Sequence, residues 1–182
     1  MLPFLCATLI LCFVSTITDL RSARIPNWLT LGGAALGLIG HGALGWSWGG
    51  YPALGEALAG SLSGGLLCGL VPLVLYLKGG LGGGDLKLFV AIGVLCRPLL
   101  GIEIQTYGLV TAAVIAPARL AYEGRLLRVA LGSLQLATDM FRPKERRRAP
   151  PPELLASFRL APAVLVGALL SLIHHSYELL PR

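Results

Sequence analysis

Apolar runs recur along the whole chain, separated by short stretches rich in charge, glycine or proline. Each run holds about 16 to 25 Leu-, Ala-, Val- and Gly-rich residues, roughly what an α-helix needs to cross a hydrocarbon core. Six spans can be drawn: Leu2 to Thr18, about Trp28 to Leu44, about Leu54 to Leu77, Leu86 to about Leu100, Ile102 to Leu120, and Leu160 to Leu180. The first and fourth are short, which points to local thinning of the bilayer or to packing inside a bundle. The fourth and fifth are divided at Arg97-Pro98 and Glu103. The pattern predicts an all-α, polytopic membrane protein. It forms one membrane-embedded domain over residues 1–182, with a basic cytoplasmic loop at about 121–158. Gly33 and Gly37, Gly60 and Gly64, and Gly65 and Gly69 are spaced to let helix backbones approach closely.

Composition agrees. The chain is 55% hydrophobic and 13% charged, where a soluble domain averages about 25% charged residues. The net charge of +6 could suggest nucleic acid, but Lys and Arg gather in a few loops. The run Arg142-Pro143-Lys144-Glu145-Arg146-Arg147-Arg148 fits a cytoplasmic loop beside anionic lipid, so no nucleic-acid partner is expected. With six spans, thirteen of the fifteen basic residues fall on one side, and only Arg97 and Arg182 on the other. The positive-inside rule makes the thirteen-residue side cytoplasmic and places both termini outside. The first run lacks a basic leading region and a small-residue cleavage pattern, so it is expected to be a retained helix. Cys6, Cys12, Cys68 and Cys96 lie in apolar runs without a CxxC pair and read as buried small hydrophobes.

Against this background two aspartates stand out. Asp19 ends the first run, and Asp85 follows Gly82-Gly83-Gly84 and opens the fourth. An ionisable group near hydrocarbon depth is costly and marks a functional site by default. Two carboxylates that meet can share a proton and activate water, as in an aspartic protease. Both lie at the cytoplasmic ends of their spans under the charge-derived topology. The glycines before Asp85 would let an extended chain lie close to the backbone. A phosphate cradle is disfavoured, because no Lys-Ser or Lys-Thr follows and a carboxylate would repel the anion. Asp85 could instead merely cap its helix, and Asp19 could pair with Arg21 or Arg24. Pro26 breaks the chain before the second span, Asn27 is a plausible N-cap for it, and Trp28 suits an interface. Asp139 lies in the basic segment and reads as a solubility residue.

Asp19 followed by Ile25-Pro26-Asn27, and then Gly82-Gly83-Gly84-Asp85-Leu86-Lys87, resembles the paired signatures of the type IV prepilin peptidases. The second segment is similar to that family's GxGD motif with its downstream lysine. Arg159-Leu160-Ala161-Pro162-Ala163 resembles the family's proline-containing final helix. The resemblance runs over nearly the whole chain. It implies an inner-membrane aspartic endopeptidase that removes the basic leader of a prepilin or pseudopilin at the cytoplasmic face, in the context of pilus or secretion machinery. It implies catalysis by Asp19 and Asp85, with Gly82, Gly83, Gly84, Lys87, Pro26 and Asn27 in support, and no cofactor or metal. The larger bifunctional members carry a further N-terminal portion with a zinc-binding cysteine cluster and also methylate the product. No cysteine tetrad is present here, so the chain resembles the short form associated with Flp-type, tight-adherence pili.

Rival readings are an archaeal-type preflagellin peptidase or other GxGD protease, a proton-coupled carrier with relay aspartates, and a non-catalytic assembly subunit. A carrier would need a polar path to the outer face, and spans four to six offer few polar side chains at mid-depth. His174-His175 could bind metal, but the pair has no further ligand nearby in sequence.

Overall fold

A computed structural model describes residues 2–122, 124 and 159–179. The expected basic loop lies almost wholly outside them. The described chain is helical: α1 (Leu2–Ser22), α2 (Asn27–Leu77), α3 (Gly83–Tyr122) and α4 (Ala161–Leu179). Three of these are long and apolar enough to cross a membrane, Pro3–Ser22, Asn27–Leu77 and Gly83–Tyr122, and Ala161–His175 is a shorter apolar helix. By compactness the chain divides into Met1–Thr111 with Arg159–Arg182, and Ala112–Phe158. The described part of the second unit is the end of α3, where Gly124 turns with φ 67 and its N–H bonds Ala121 O at 3.0 Å.

α2 and α3 each contain a break. At Gly49 and Gly50 the backbone leaves the helix, and Gly50 takes φ 62, open to glycine at little cost. The chain then folds back: a Cβ on Gly45 would come within 2.8 Å of the Ala57 Cβ. In α3 the break is at Arg97, with φ 63 and ψ 177, and Gly101 returns against Gly93. The division expected between Leu44 and Leu54 therefore falls at Gly49-Gly50. Of the two positions dividing the fourth and fifth spans, Arg97-Pro98 and Glu103, the break falls at the first, a few residues before the drawn end at Leu100. Pro98 explains this, because it has no N–H for the Val94 carbonyl one turn back. That carbonyl accepts from Ser61 Oγ at 2.7 Å instead, and the neighbouring Leu95 carbonyl bonds His41 Nε2 at 2.9 Å. Two buried polar side chains of α2 thus satisfy the broken end of α3.

The helices pack through small residues. Gly64 lies on Gly93 so closely that neither could carry a Cβ, and Gly37 and Gly33 seat Val94 and Leu11. Gly65 and Gly69 face Val94 and Val90, while Gly60 has more room beside Arg97. The start of α3 runs through the centre, with Leu88, Phe89, Ile92 and Leu95 fully buried. Large apolar side chains such as Leu31, Leu36, Ile39, Leu62, Leu66 and Leu70 point outward. Small residues within and large apolar residues outside suit a bundle solvated by lipid, where close backbone approach drives association. Cys12, Cys68 and Cys96 are free and buried, as expected. Cys6 is exposed, a correction to the reading that all four are interior.

Candidate active site

α1 runs past Thr18, so Asp19 sits in its last turn rather than beyond it. The helix stops because Ala23 adopts φ 51 and returns its N–H to Asp19 O at 2.9 Å. That single bond from the residue past the cap is an αL stop, a place where glycine is usual. Ile25 is buried, Pro26 is extended with φ −65 and ψ 139, and α2 starts at Asn27. Pro26 therefore occupies the cap position, with no side-chain cap bond. The expectation that Asn27 is the cap is corrected: it is the first helical residue, and its side chain is used elsewhere.

The glycine run divides its labour. Gly79, with φ 75, ends α2 in a Schellman turn. Its N–H bonds Tyr76 O at 2.9 Å, and that of Gly80 bonds Leu75 O at 2.8 Å. Gly82 is the cap of α3, since its carbonyl receives the Leu86 N–H at 3.2 Å. Its own N–H is directed at the Asp85 carboxylate, the reciprocal half of a capping box. Asp85 thus lies inside the first turn of α3, half-buried, rather than in a loop before it. Gly83 lies beside the Tyr76 ring, and Gly84 meets Ile25, where a Cβ would be 3.2 Å from the Ile25 Cβ. Lys87 Nζ donates to Asn27 Oδ1 at 2.8 Å. The two sequence motifs are therefore in direct contact.

The two carboxyls are near enough for the charge of Asp19 to act on Asp85. Asp19 is buried at 7% exposure, and its Oδ2 has no hydrogen-bond partner. The backbone N–H of Ala161, at the start of α4, is directed at the same carboxylate. Arg159 acts on Asp19 by its charge and donates from Nη1 to Leu20 O at 3.0 Å. One turn before Asp19, Ser15 Oγ is also buried and without a partner. The site therefore has one carboxylate steered by a backbone N–H, a second in a helix's first turn, and unsatisfied oxygen between packed helices.

A family model of the type IV leader peptidases matches residues 6–117, well over half of the chain and inclusive of both aspartates. The chain belongs to the type IV leader peptidase family. Comparison with curated proteins and with solved structures gives no significant match. The matched segment ends before α4, yet the first residue of α4 supplies the Ala161 N–H, and Arg159 just before that helix lies beside Asp19. Those contributions were not assigned from the sequence, although the segment Arg159 to Ala163 had been singled out at the start of the last helix. The part of Ile25, whose side chain fills the notch at Gly84, was also missed. No isolated apolar residue announces such a role.

Lys87 is tied to Asn27 rather than to either carboxylate, which makes it a clamp between the starts of α2 and α3. His174 and His175 lie far along α4, where His175 Nδ1 is 3.8 Å from Glu103 Oε1. The pair thus has an acidic neighbour that the sequence did not reveal. Among the described residues no group of three His, Cys, Asp or Glu side chains is placed to hold a metal ion.

Proposed function

We propose that this member of the type IV leader peptidase family is a membrane aspartic endopeptidase that removes the leader of a prepilin or pseudopilin with Asp19 and Asp85. The observation that carries the reading is the interacting pair itself, two carboxyls from α1 and α3 with one buried oxygen left unpartnered. One carboxylate takes a proton from water as that water attacks the scissile carbonyl. The other, protonated, gives its proton to the carbonyl oxygen; the first then passes the water-derived proton to the leaving nitrogen, and the second regains a proton from the diol as it collapses. No covalent intermediate forms. The pair titrates as a unit, so acid and base are roles of the dyad rather than of a fixed residue. The peptide backbone lies along the glycine run Gly82-Gly83-Gly84, where side chains do not block it. The tight-adherence type of substrate is supported by the lack of a cysteine tetrad, as in the short form that the chain resembles.

The same reading puts the chain in the inner membrane as six spans, with both termini outside and the dyad at the cytoplasmic face. The asymmetry of its basic residues supports this, as do the reversals at Gly49-Gly50 and Arg97.

The deciding experiment is cleavage of a purified prepilin by Asp19→Asn and Asp85→Asn. Each keeps shape and removes the titrating group, and each should lower the rate by at least about 100-fold. Asp139→Asn, outside both motifs, should cut normally. Full cleavage by either single variant would sink the aspartic mechanism.

A further inference from the structure

The break at Arg97 opens a second polar site at the end of the bundle remote from the aspartates. Arg97 follows Asp85 by twelve residues on α3, about 18 Å of helix. A cavity of about 440 Å³ lies there, with Phe4, His41, Trp48, Glu56 and Arg97 in its wall. Phe4 belongs to the first turn of α1, and Trp48 and Glu56 flank the reversal of α2. Trp46, Trp48 and Tyr51 are exposed around that reversal, and Trp46 meets Tyr51 edge to face at 4.9 Å. Such aromatics mark the depth of a membrane–water interface.

Two of the wall's polar groups are not used by the fold. Arg97 Nε is buried without a hydrogen-bond partner, although a buried donor on a charged group is costly to leave unmade. Arg97 also holds φ 63 and ψ 177, a region that essentially only glycine adopts without strain. A glycine would make the same turn without strain, so the residue is explained by its side chain. Glu56 is exposed at the rim and makes no ion pair with Arg97 across the cavity. His41, by contrast, is spent: Nε2 bonds the Leu95 carbonyl, and its ring stacks on Phe4 at 3.9 Å. A half-buried cation below an exposed anion, at interfacial depth and beside apolar walls, is complementary to a headgroup with a phosphate below an ammonium.

We propose that this cavity binds the headgroup of a zwitterionic phospholipid, its phosphate on Arg97 and its primary ammonium on Glu56. The inference rests on the bundle spanning a bilayer and is independent of the peptidase chemistry. The guanidinium offers forked donors to the phosphate oxygens, and Glu56 excludes headgroups that carry only negative charge.

Native mass spectrometry of the full chain in detergent tests this, with short-chain phosphatidylethanolamine, phosphatidylglycerol and inorganic phosphate as probes. The wild type should retain phosphatidylethanolamine about tenfold better than phosphatidylglycerol, the scale of one charge-assisted bond. Arg97→Gln should lose both lipids, and Glu56→Gln should bring the two to parity. Equal retention of both lipids by the wild type, or the same preference in Glu56→Gln, would overturn the proposal. So would displacement of the lipid by inorganic phosphate, which would mark a free-anion site. Should Arg97→Gln not fold, the exposed Glu56→Gln decides alone through the lipid preference.

Discussion

Lys87 and Asn27 join the two motif segments by a hydrogen bond of 2.8 Å, from the start of α3 to the start of α2. Both side chains are exposed, so the bond is weak in stability, about 0.2–1 kcal/mol by analogy with surface pairs. Its value is in register. Lys87→Ala and Asn27→Ala should each leave the folded bundle within about 1 kcal/mol of the parent in thermal denaturation. Each should lower the cleavage rate, and the double variant should be no worse than either single one. Additive losses would show that Lys87 acts on the substrate instead.

The contact between Gly84 and Ile25 is tighter. A Cβ on Gly84 would lie 3.2 Å from the Ile25 Cβ and 3.5 Å from its backbone nitrogen. Gly84→Ala should cost little, since Ile25 can yield by a few tenths of an ångström. Gly84→Val should cost about 1–3 kcal/mol by overpacking and move the start of α3 away from the connection between α1 and α2. Measured by thermal unfolding and cleavage together, the larger side chain should reduce both.

Ala23 predicts the opposite sign. It sits at φ 51 to end α1, a conformation that costs a non-glycine residue about 1–2 kcal/mol. Ala23→Gly should therefore raise stability by up to about 1 kcal/mol, since glycine's greater freedom when unfolded offsets part of the gain. Cleavage should be retained, because the Asp19 carbonyl keeps its bond. A lower melting temperature would contradict the αL stop.

The dyad sets the pH dependence. Under the proposed mechanism, catalysis needs one proton shared by Asp19 and Asp85. At low pH both are protonated and no base remains, and at high pH both are ionised and no acid remains. The cleavage rate should be bell-shaped, with two apparent ionisations that belong to the pair. A rate that rises monotonically with pH would point to a single base.

The proposed topology makes a separate claim. A reporter fused after Arg148 should be cytoplasmic, and one fused after Arg182 external. Both on one side would remove a span and break the agreement between charge asymmetry and the placement of the aspartates.

Apolar runs of the length of a bilayer could arise only from membrane helices, because backbone polar groups in lipid must be satisfied within the segment. The all-α class, the glycine packing positions and the two aspartates were therefore legible in the order of residues alone. Asp19 and Asp85 stand out there as candidates because carboxylates are few, and one ends an apolar run while the other opens one. Arg97-Pro98 was legible as one of two candidate divisions, but the exact place of the break at Gly49-Gly50 and the groups that close each break were not. A helix boundary between apolar runs depends on which backbone groups find partners, and Ser61 and His41 are remote in sequence from the carbonyls at Val94 and Leu95 that they satisfy. Nor could the sequence show that Asn27 would leave the cap to Pro26 and receive Lys87, or that Ala161 and Arg159 would come to Asp19. Local propensity acts over a turn or two of chain, and it named the class of the elements and the candidate residues. The partners of each polar group were decided by packing between helices, which costs or gains free energy only when the whole bundle has closed.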